Sequence, residues 1–305
     1  MGVMIYGAGM AGLLAANILR RHQPIVRERQ DSLPDNHGAL LRFRTPAVEL
    51  ETGQRFRMVD VTKAIKSNQL LSTECSLRDA NRYSYKVTGR VSSRSIINLA
   101  PCVRYIAPPD FLKTLARDVS IWTSEELTLE RLIEHKENGD HVISTIPMPD
   151  LMRIVGWDVQ IHYAWRPIWS TTILLDSAVD IHQTIYYPGS ESYYRVSVTG
   201  QQMIVESMTG PITNQEFDNI LYDFGLEYIE WVGGGTKRQE YGKLIPIDED
   251  VRQQFLLHMT DEYRVYSIGR FGTWRQILLD DVVQDIKKVS RWIEQRTGYH
   301  RRLES

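Results

Sequence analysis

The chain has 305 residues, of which 42% are hydrophobic and 24% are charged, and its formal net charge is −2. These values are typical of a globular protein with one large domain or two smaller ones. They exclude a global field that favours nucleic acid or anionic membranes, and no apolar run reaches membrane-spanning length. The two cysteines, Cys75 and Cys102, predict neither a disulfide framework nor a metal site, and they favour a reduced, cytoplasmic setting.

The chain opens with a predicted strand, a glycine-rich turn and a helix. Residues 3–6 form a short apolar run that is typical of a buried strand, and Gly7, Gly9 and Gly12 follow in the spacing G-x-G-x-x-G. Gly7 allows a tight turn, Gly9 lets the backbone approach a pyrophosphate, and Gly12 lets the helix pack closely on the strand. Residues 11–18 repeat apolar side chains at helical spacing, and the helix offers its N-terminal N–H groups to an anion.

A second predicted strand, at residues 24–26, leads to Glu28. This acid lies about 20 residues beyond the glycines, where a carboxylate accepts hydrogen bonds from ribose hydroxyls. Glu28 argues mildly against a ribose 2′-phosphate, although Arg27 and Arg29 beside it weaken that argument. Because strand, turn, helix and acid occur together, the segment predicts a dinucleotide-binding turn rather than the glycine-rich turn of an ordinary α/β protein.

The next part of the chain predicts further alternating elements. Residues 31–60 are rich in turn residues, and residues 61–99 are polar and mixed, with YSYKVTGR as an expected strand and turn. A helix that Asp110 could cap precedes a strand at Val119–Trp122, and a buried strand is expected at His141–Thr145.

The pattern changes between about 160 and 250, where β-rich runs alternate with turns. YPGSESYY is a plausible hairpin connection, NQEFDNILYDFGL predicts an amphipathic helix, and Gly233–Gly235 predict a turn. The last segment predicts a strand, a loop and a long helix from about Asp280. These patterns indicate an antiparallel sheet inserted into an α/β frame. Motifs of other enzyme classes are absent, because the sequence contains no nucleophile elbow, zinc-protease motif or P-loop.

Four stretches together resemble the FAD-dependent superfamily of glutathione-reductase type, and within it the amine-oxidase and UDP-galactopyranose-mutase branch. They are the N-terminal YGAGMAGLLAA with VRER, then DVSIWTSEELT, DHVISTIP, and YSIGRFGTWRQILLDDVVQDI near the C-terminus. The resemblance implies an α/β fold with a Rossmann-like FAD-binding domain, formed by residues 1–60, 100–158 and 260–305. An inserted, mainly antiparallel β substrate domain would be formed by residues 61–99 and 159–259.

The resemblance also implies which residues hold FAD. The backbone near Val119 would meet the adenine, and Gly38 and Arg42 would line the flavin, although the family's usual glycine pair is here a single glycine. Arg270 would place a cation near the pyrophosphate or the ring oxygens, and N–H groups at the start of the last helix would stabilise negative charge on the flavin. Arg270 could instead form a surface salt bridge, and Trp274 could be purely structural. The expected cofactor-binding residues are Gly7, Ala8, Gly9, Met10, Ala11, Gly12, Glu28, Arg29, Gly38, Arg42, Val119, Thr145, Gly269, Arg270, Trp274, Asp281 and Val282.

In such flavoproteins the substrate lies between the flavin and the antiparallel sheet. The resemblance therefore makes Tyr194, Arg195, Lys243 and His37 the candidate catalytic residues. Arg195 could hold a carboxylate or a phosphate, and Lys243 could lie near the flavin N5. Each candidate also has a structural interpretation, because tyrosines fill cores, lysines are mostly solvated and a lone histidine is more often structural.

The first hypothesis for function is an amine-oxidase-like, FAD-dependent oxidoreductase that oxidises a small or polymer-attached substrate. The alternatives are a flavin-dependent sugar mutase without net redox change, an NAD(P)-dependent reductase, and a binding module that kept only its nucleotide site. One common NAD-dependent class carries Tyr-x-x-x-Lys, and that spacing is absent from the sequence. The expected partner is a small-molecule or nucleotide-linked substrate, with no membrane and no clear nucleic-acid patch, and the sequence leaves the oligomeric state open.

Overall fold

The computed structural model describes residues 2–33, 41–92, 95–158 and 161–303. The strands in these ranges are β1 (Val3–Tyr6), β2 (Ile25–Arg27), β3 (Arg42–Phe43), β4 (Arg57–Ser67), β5 (Leu70–Ser72), β6 (Cys102–Ile106), β7 (Ser120–Trp122), β8 (His141–Ser144), β9 (Trp165–Leu175), β10 (Ile181–Tyr186), β11 (Tyr193–Gly200), β12 (Gln202–Ser207), β13 (Trp231–Leu244) and β14 (Val265–Ser267). The helices are α1 (Met10–Ile18), α2 (Ala47–Thr52), α3 (Leu77–Thr88), α4 (Phe111–Ala116), α5 (Leu129–Glu137), α6 (Met148–Ile154), α7 (Asn214–Phe224), α8 (Glu249–Tyr263), α9 (Gly269–Gly272) and α10 (Leu279–Leu303).

Five strands form a parallel sheet in the order β14-β8-β1-β2-β7. Val3 and Ile5 of β1 face a core that includes residues of α1 and α10, whereas Tyr6 faces a second core with residues of α5 and α8. Both faces are therefore covered by helices, which explains why β1 is a continuous apolar run and why all four residues of β8 are buried. Because parallel strands end on the same side, the residues that follow β1, β2, β7, β8 and β14 share one side of the sheet, which we call the carboxyl edge.

The second sheet contains nine strands, in the order β13-β9-β12-β11-β10-β4-β6-β3, with β5 paired to β4. Strands β4 and β10 run parallel, and the other pairs of this sheet within the described residues are antiparallel. One face of the sheet is apolar at positions such as Val196, Val198 and Val205, which pack against Phe217 and Ile220 of α7.

The opposite face of this sheet carries polar side chains where β10, β11 and β12 lie side by side. Side chains alternate between the two faces along each strand, so these residues follow from the alternation in β10 and β11. We call this the polar face and define it by Thr184, Arg195, Ser197, Thr199 and Glu206. The three hydroxyl side chains among them are buried, each with 6% exposure or less.

The fold is therefore α/β, with a Rossmann-like parallel sheet and an inserted, mainly antiparallel sheet, as the sequence predicted. The predicted hairpin joins β10 to β11, and the last helix begins at Leu279, one residue before the expected start. The predicted amphipathic helix is α7, which Thr213 and Glu216 begin with reciprocal side-chain to backbone hydrogen bonds and which ends at Gly225. No helix within the described ranges has both the length and the apolar character needed to cross a membrane.

Two predicted elements were wrong. The segment YSYKVTGR lies mostly in α3, where Ser76 caps the helix through the Asp79 N–H and Tyr83 and Val87 turn inward at helical spacing. The three glycines at 233–235 lie within β13 rather than in a turn. A Cβ on Gly234 would lie 2.4 Å from the carbonyl oxygen of Thr172, so the close approach of β9 explains the glycine.

The predicted domain boundaries stay a prediction. Strands β3 and β6 fall within ranges expected for the FAD-binding domain, yet β3 pairs with β6, and β6 pairs with β4, in the nine-stranded sheet. Phe43 of β3 nevertheless packs with Phe56 and Phe111 in the core that includes residues of α1 and α10. This aromatic group connects the two sheets.

Candidate functional site

The glycine turn lies at the carboxyl edge of the parallel sheet. Gly7 has φ +102°, a conformation that side chains rarely adopt, and its N–H donates to the Arg27 carbonyl at 2.8 Å. A Cβ on Gly7 would lie 2.2 Å from Thr145 Oγ1, and a Cβ on Gly12 would lie 1.9 Å from the Gly7 carbonyl oxygen. These two glycines are therefore required by the packing of the protein itself, as the sequence predicted.

Gly9 differs from its two neighbours in the motif. It precedes α1 with φ −72° and ψ −179°, an extended conformation open to any residue, and no side chain caps the helix. A Cβ on Gly9 would meet no heavy atom within 4 Å. The N-terminus of α1 thus faces open space, while Ala8 and Met10 on either side are buried. Free N–H groups beside open space are what an anion such as a pyrophosphate requires.

Glu28 lies directly after β2 and reaches the glycine turn. Its Oε2 accepts from the Ala8 N–H at 2.7 Å, and its Oε1 accepts from the Gln30 N–H at 3.0 Å. The predicted position of the acid beside the turn therefore matches the geometry. Arg29 next to it is exposed. The roles of Glu28 and Arg29 in cofactor binding stay predictions.

Thr145 and Gly269 also lie at the carboxyl edge. The Thr145 side chain donates to the Tyr6 carbonyl at 3.0 Å, which places it next to Gly7. Gly269 has φ +77°, and a Cβ there would lie 3.0 Å from the Cβ of Ala11. The closing segment of the chain therefore packs against the first turn of α1.

Arg270 connects the glycine turn to the nine-stranded sheet. One of its terminal nitrogens donates to the Gly242 carbonyl in β13 at 2.9 Å. Its Nε is buried and has no hydrogen-bond partner among the described residues. Burial lowers the pKa of the Arg270 guanidinium. Since it donates to a buried backbone carbonyl, Arg270 does not have the environment of a surface salt bridge.

Tyr194, Arg195 and Lys243 come together around Glu206. Arg195 Nε donates to Glu206 Oε2, and the Tyr194 hydroxyl donates to Glu206 Oε1 at 2.9 Å. Lys243 Nζ lies 4.7 Å from the centroid of the Tyr194 ring. Burial would raise the pKa of Glu206, but the charges of Arg195 and Lys243 outweigh it and hold this pKa below the usual range. We call these four residues together with Arg270 the cationic cluster.

Arg42 lies on the polar face next to this cluster. Its two terminal nitrogens donate to Ser197 Oγ at 2.9 Å, to Thr184 Oγ1 at 3.2 Å and to Thr199 Oγ1 at 3.5 Å. Burial, and next the positive charge of Arg195, lower the pKa of Arg42 to about 10. The residue predicted to line the flavin is thus held by β10 and β11.

Aromatic side chains border the cationic cluster on the side of β13. The ring of Tyr241 lies 5.0 Å from that of Trp165 and 5.7 Å from that of Phe271, and the rings of Trp165 and Phe271 are partly exposed. Trp274 lies behind them, only 2% exposed, and its indole N–H donates to the Ile245 carbonyl at 3.1 Å. The contacts of Trp274 are those of a core residue, and its predicted contact with the cofactor stays a prediction.

The prediction for Val119 needs correction. Val119 precedes β7, which pairs in parallel with β2 so that Trp122 lies opposite Arg27. Val119 therefore lies at the opposite edge of the sheet from the glycine turn. Trp122 takes its place at the carboxyl edge, since its carbonyl accepts from the Glu28 N–H at 2.8 Å and its ring lies 4.9 Å from the Arg27 guanidinium. Taking the end of the predicted strand instead of its start would have found this residue.

The predicted anion-binding amides of the last helix also need correction. The N–H groups of Asp281 and Val282 donate to the Leu278 carbonyl at 3.0 and 3.2 Å, so they are already used in the first turn of α10. Asp280, which the sequence analysis did not select, is buried and accepts from the Thr45 N–H at 2.9 Å and the Thr45 hydroxyl at 2.8 Å. Asp280 therefore links the segment after β3 to the start of α10 through hydrogen bonds.

Two of the predicted site residues, His37 and Gly38, lie outside the described residues. Within the described ranges, no group of three histidine, cysteine or acidic side chains has the proximity needed to hold a metal ion. Cys75 and Cys102 are both free thiols.

Comparisons with known proteins find similar structures but no similar sequence. No family model matches the chain, and no curated protein matches it. A crystal structure of reduced UDP-galactopyranose mutase superposes with a TM-score of 0.69 and 14% identity, covering 96% of each chain. An oxidoreductase from Methanosarcina mazei gives a TM-score of 0.54 at 11% identity, covering 95% of this chain and all of the other. p-Nitrophenol 4-monooxygenase from Pseudomonas putida gives 0.51 at 11% identity, covering 95% and 78%. The chain thus has the fold of these enzymes over nearly its whole length.

Proposed function

We propose that the chain binds FAD and acts as a flavin-dependent enzyme on an anionic, nucleotide-linked substrate. The observation that carries this proposal is the position of Gly269 and Arg270. Gly269 packs against Ala11 at the glycine turn, and Arg270 donates a hydrogen bond to the Gly242 carbonyl in the nine-stranded sheet. The glycine turn and the cationic cluster therefore lie next to each other, and we propose that they border one binding site.

The residues at the carboxyl edge fit FAD. The N-terminus of α1 and the open space over Gly9 suit the pyrophosphate, and Glu28 suits the ribose hydroxyls. Arg270 has a buried Nε–H to offer to an acceptor of the cofactor. When bound, FAD supplies the electron chemistry, while these residues bind and orient it.

The charge of the cationic cluster favours an anionic substrate. Three cations, Arg195, Lys243 and Arg270, surround the single carboxylate of Glu206. An ammonium group would be repelled by this excess of positive charge, so the amine-oxidase-like hypothesis is disfavoured. A phosphate or diphosphate would be attracted, and Arg195 presents a guanidinium suited to it.

The aromatic side chains beside the cluster support a substrate that also carries a ring. Trp165, Tyr241 and Phe271 offer partly accessible ring surface next to Gly242, to which Arg270 is bonded. Nucleobases stack on such surfaces. An anion joined to an aromatic base describes a nucleotide, and the similarity to UDP-galactopyranose mutase over 96% of both chains supports the mutase alternative.

An FAD-dependent oxidoreductase acting on an acid is the second candidate. Arg195 on the polar face is partly exposed and could hold a substrate carboxylate through the N–H groups that it does not donate to Glu206. Oxygen consumption separates the two candidates. A mutase requires prior reduction of the flavin and consumes no oxygen in turnover, whereas an oxidase reduces oxygen to peroxide.

The absorption spectrum of the purified chain tests the proposal first. We expect flavin bands, either as purified or after incubation with FAD, and no comparable binding of NAD or NADP. A chain that stays colourless after incubation with FAD contradicts the proposal. The photoreduced protein is then incubated with UDP-galactopyranose and related nucleotide sugars, and the products are separated by chromatography. Binding of FAD without any effect of nucleotide sugars or acids on the flavin would leave only a binding module.

A further inference from the structure

Arg42 is a half-buried cation, and its hydrogen-bond partners among the described residues are all neutral. Three hydroxyl groups, from Thr184, Ser197 and Thr199, accept its hydrogen bonds, and no carboxylate within the described residues lies close enough to form an ion pair with it. The nearby Arg195 is itself a cation already paired with Glu206. Burying a charge without a counter-ion is unfavourable, so such residues are expected where a ligand supplies the missing charge.

His182 adds a second, independent observation at the same place. Its Nδ1 is buried and has no hydrogen-bond partner among the described residues. His182 and Thr184 are two residues apart on β10 and so lie on the same face of the sheet, and His182 is paired with Thr199 of β11. The His182 side chain therefore lies beside Thr199, whose hydroxyl accepts from Arg42. The other ring nitrogen of His182, Nε2, lies 3.7 Å from Asp180 Oδ1.

We propose that Arg42, His182 and the hydroxyls of Thr184, Ser197 and Thr199 form an oxyanion subsite on the polar face. Its ligand is a phosphate or carboxylate group, which would accept from the guanidinium, from a hydroxyl and from the histidine ring. The assignment of this group to the substrate rests on the proposed function. The hydrogen-bond partners that Arg42 has among the described residues belong to the nine-stranded sheet, so the subsite faces the substrate side rather than the glycine turn.

The subsite is separate from the cationic cluster in its chemistry. Arg195 forms an ion pair with Glu206, whereas Arg42 hydrogen-bonds to neutral hydroxyls and forms no ion pair within the described residues. A substrate that uses both groups carries at least two anionic centres, or one extended anion such as a diphosphate. This narrows the proposed substrate class to polyanionic compounds.

Titration of the full, FAD-loaded chain with inorganic phosphate and with acetate tests the subsite. We expect calorimetry to show saturable binding of at least one of these oxyanions. That oxyanion should also raise the melting temperature more than sodium chloride does at the same ionic strength. Arg42→Gln should weaken this binding about 10- to 100-fold, as expected for the loss of hydrogen bonds from a charged donor. Arg42→Lys should weaken it less, and His182→Asn should weaken it independently. The oxyanion that binds more tightly identifies the group.

Arg238→Gln is the matched control. Arg238 is exposed on β13 of the same sheet and pairs with Glu240, so this substitution also removes one positive charge but leaves Arg42, His182 and the three hydroxyls with their contacts. It should leave oxyanion binding unchanged, which separates a specific site from a general field. Without ligand, Arg42→Gln should melt at the same or a higher temperature than the wild type, because a half-buried charge without an ion pair is gone.

The proposal is overturned if neither oxyanion binds saturably, or if Arg42→Gln binds as tightly as the wild type. A large loss of melting temperature in ligand-free Arg42→Gln, with unchanged binding in Arg42→Lys and His182→Asn, would also overturn it, since Arg42 would then be structural. Failure of the proposed function looks different. In that case the chain binds no FAD, while the effect of Arg42 on oxyanion binding in the purified protein remains.

Discussion

Replacing Gly9 by valine separates ligand binding from folding. The backbone at Gly9 is extended and a Cβ there meets nothing within 4 Å, so the protein itself has room for the new side chain. The only expected structural cost is a poorer N-cap for α1, about 1 kcal/mol, which lowers the melting temperature by about 2–4 °C. The side chain would nevertheless enter the path proposed for the pyrophosphate.

The expected result is loss of flavin with little loss of stability. FAD affinity should fall more than about tenfold, equivalent to more than about 1.4 kcal/mol, because the N–H groups of α1 can no longer approach the phosphates. Flavin content is measured from the absorption spectrum after release into denaturant, and stability from thermal unfolding of the cofactor-free protein followed by circular dichroism. Both measurements are made on the same preparations of Gly9→Val and wild type.

Two matched variants complete the experiment. Gly12→Ala places a Cβ 1.9 Å from the Gly7 carbonyl oxygen, so α1 must shift and the protein should lose about 1–3 kcal/mol or fail to fold. Gly235→Val adds the same side chain in β13, where a Cβ also meets nothing within 4 Å, and it should keep its flavin. Wild-type flavin content in Gly9→Val refutes the reasoning about the pyrophosphate. A melting temperature as low as that of Gly12→Ala refutes the reasoning about open space.

Three further substitutions test other contacts of the site. Glu28→Gln should weaken FAD binding about tenfold in a fluorescence titration, because a charged acceptor is lost beside the glycine turn, and unchanged affinity counts against its predicted role. Glu206→Gln should lower the free energy of unfolding at neutral pH by about 1–3 kcal/mol, since Arg195 loses its counter-ion. The folded-state pKa of Glu206 is lowered, so its stabilisation is complete above the unfolded pKa of about 4.3 and is lost as the pH falls through the lower folded value. Urea unfolding of both proteins should therefore differ at pH 7 and converge in acid, and a constant difference is evidence against the pair. Asp280→Ala should cost about 2 kcal/mol by removing the acceptor of the Thr45 hydrogen bonds, and a urea midpoint equal to wild type would contradict this.

The glycine turn was predictable because its determinants are local. Gly7, Gly12 and Glu28 satisfy steric and hydrogen-bonding requirements that arise within one strand, one helix and the next strand. The long last helix and α7 were predictable for the same reason, since their periodicity and their capping residues are contiguous in the sequence.

The contacts of the polar face could not be predicted from local sequence, because they join residues that are far apart in the chain. Glu206 lies 11 residues from Arg195, and the pairing of β11 with β12 brings them together. Arg42 lies 155 residues from Ser197, and its contact depends on the path of the whole sheet, because β6, β4 and β10 lie between β3 and β11. The register also shifts between Tyr193 and Arg195, which a strict alternation of side chains does not anticipate.

Other errors arose where local signals competed. The pattern YSYKVTGR contains β-branched and aromatic residues that favour a strand, but Ser76 and Asp79 upstream begin a helix that continues to Thr88. For Val119, the strand was predicted correctly, but the wrong end was assigned to the ligand. The direction of a strand in a parallel sheet decides which end borders the helix N-termini, and β7 runs the same way as β2.

The order of strands in the parallel sheet has a consequence for biosynthesis. Strand β1 precedes the other strands of this sheet in the chain and lies between β2 and β8, and β14 closes the sheet beyond β8. During synthesis β1 therefore stays unpaired on one side until about residue 144 has emerged, and the sheet is incomplete until residue 267. Such long-range closure is slow and exposes strand edges to other chains. Binding of the proposed cofactor would thus follow synthesis of the whole sheet, and early release of truncated chains should lead to aggregation.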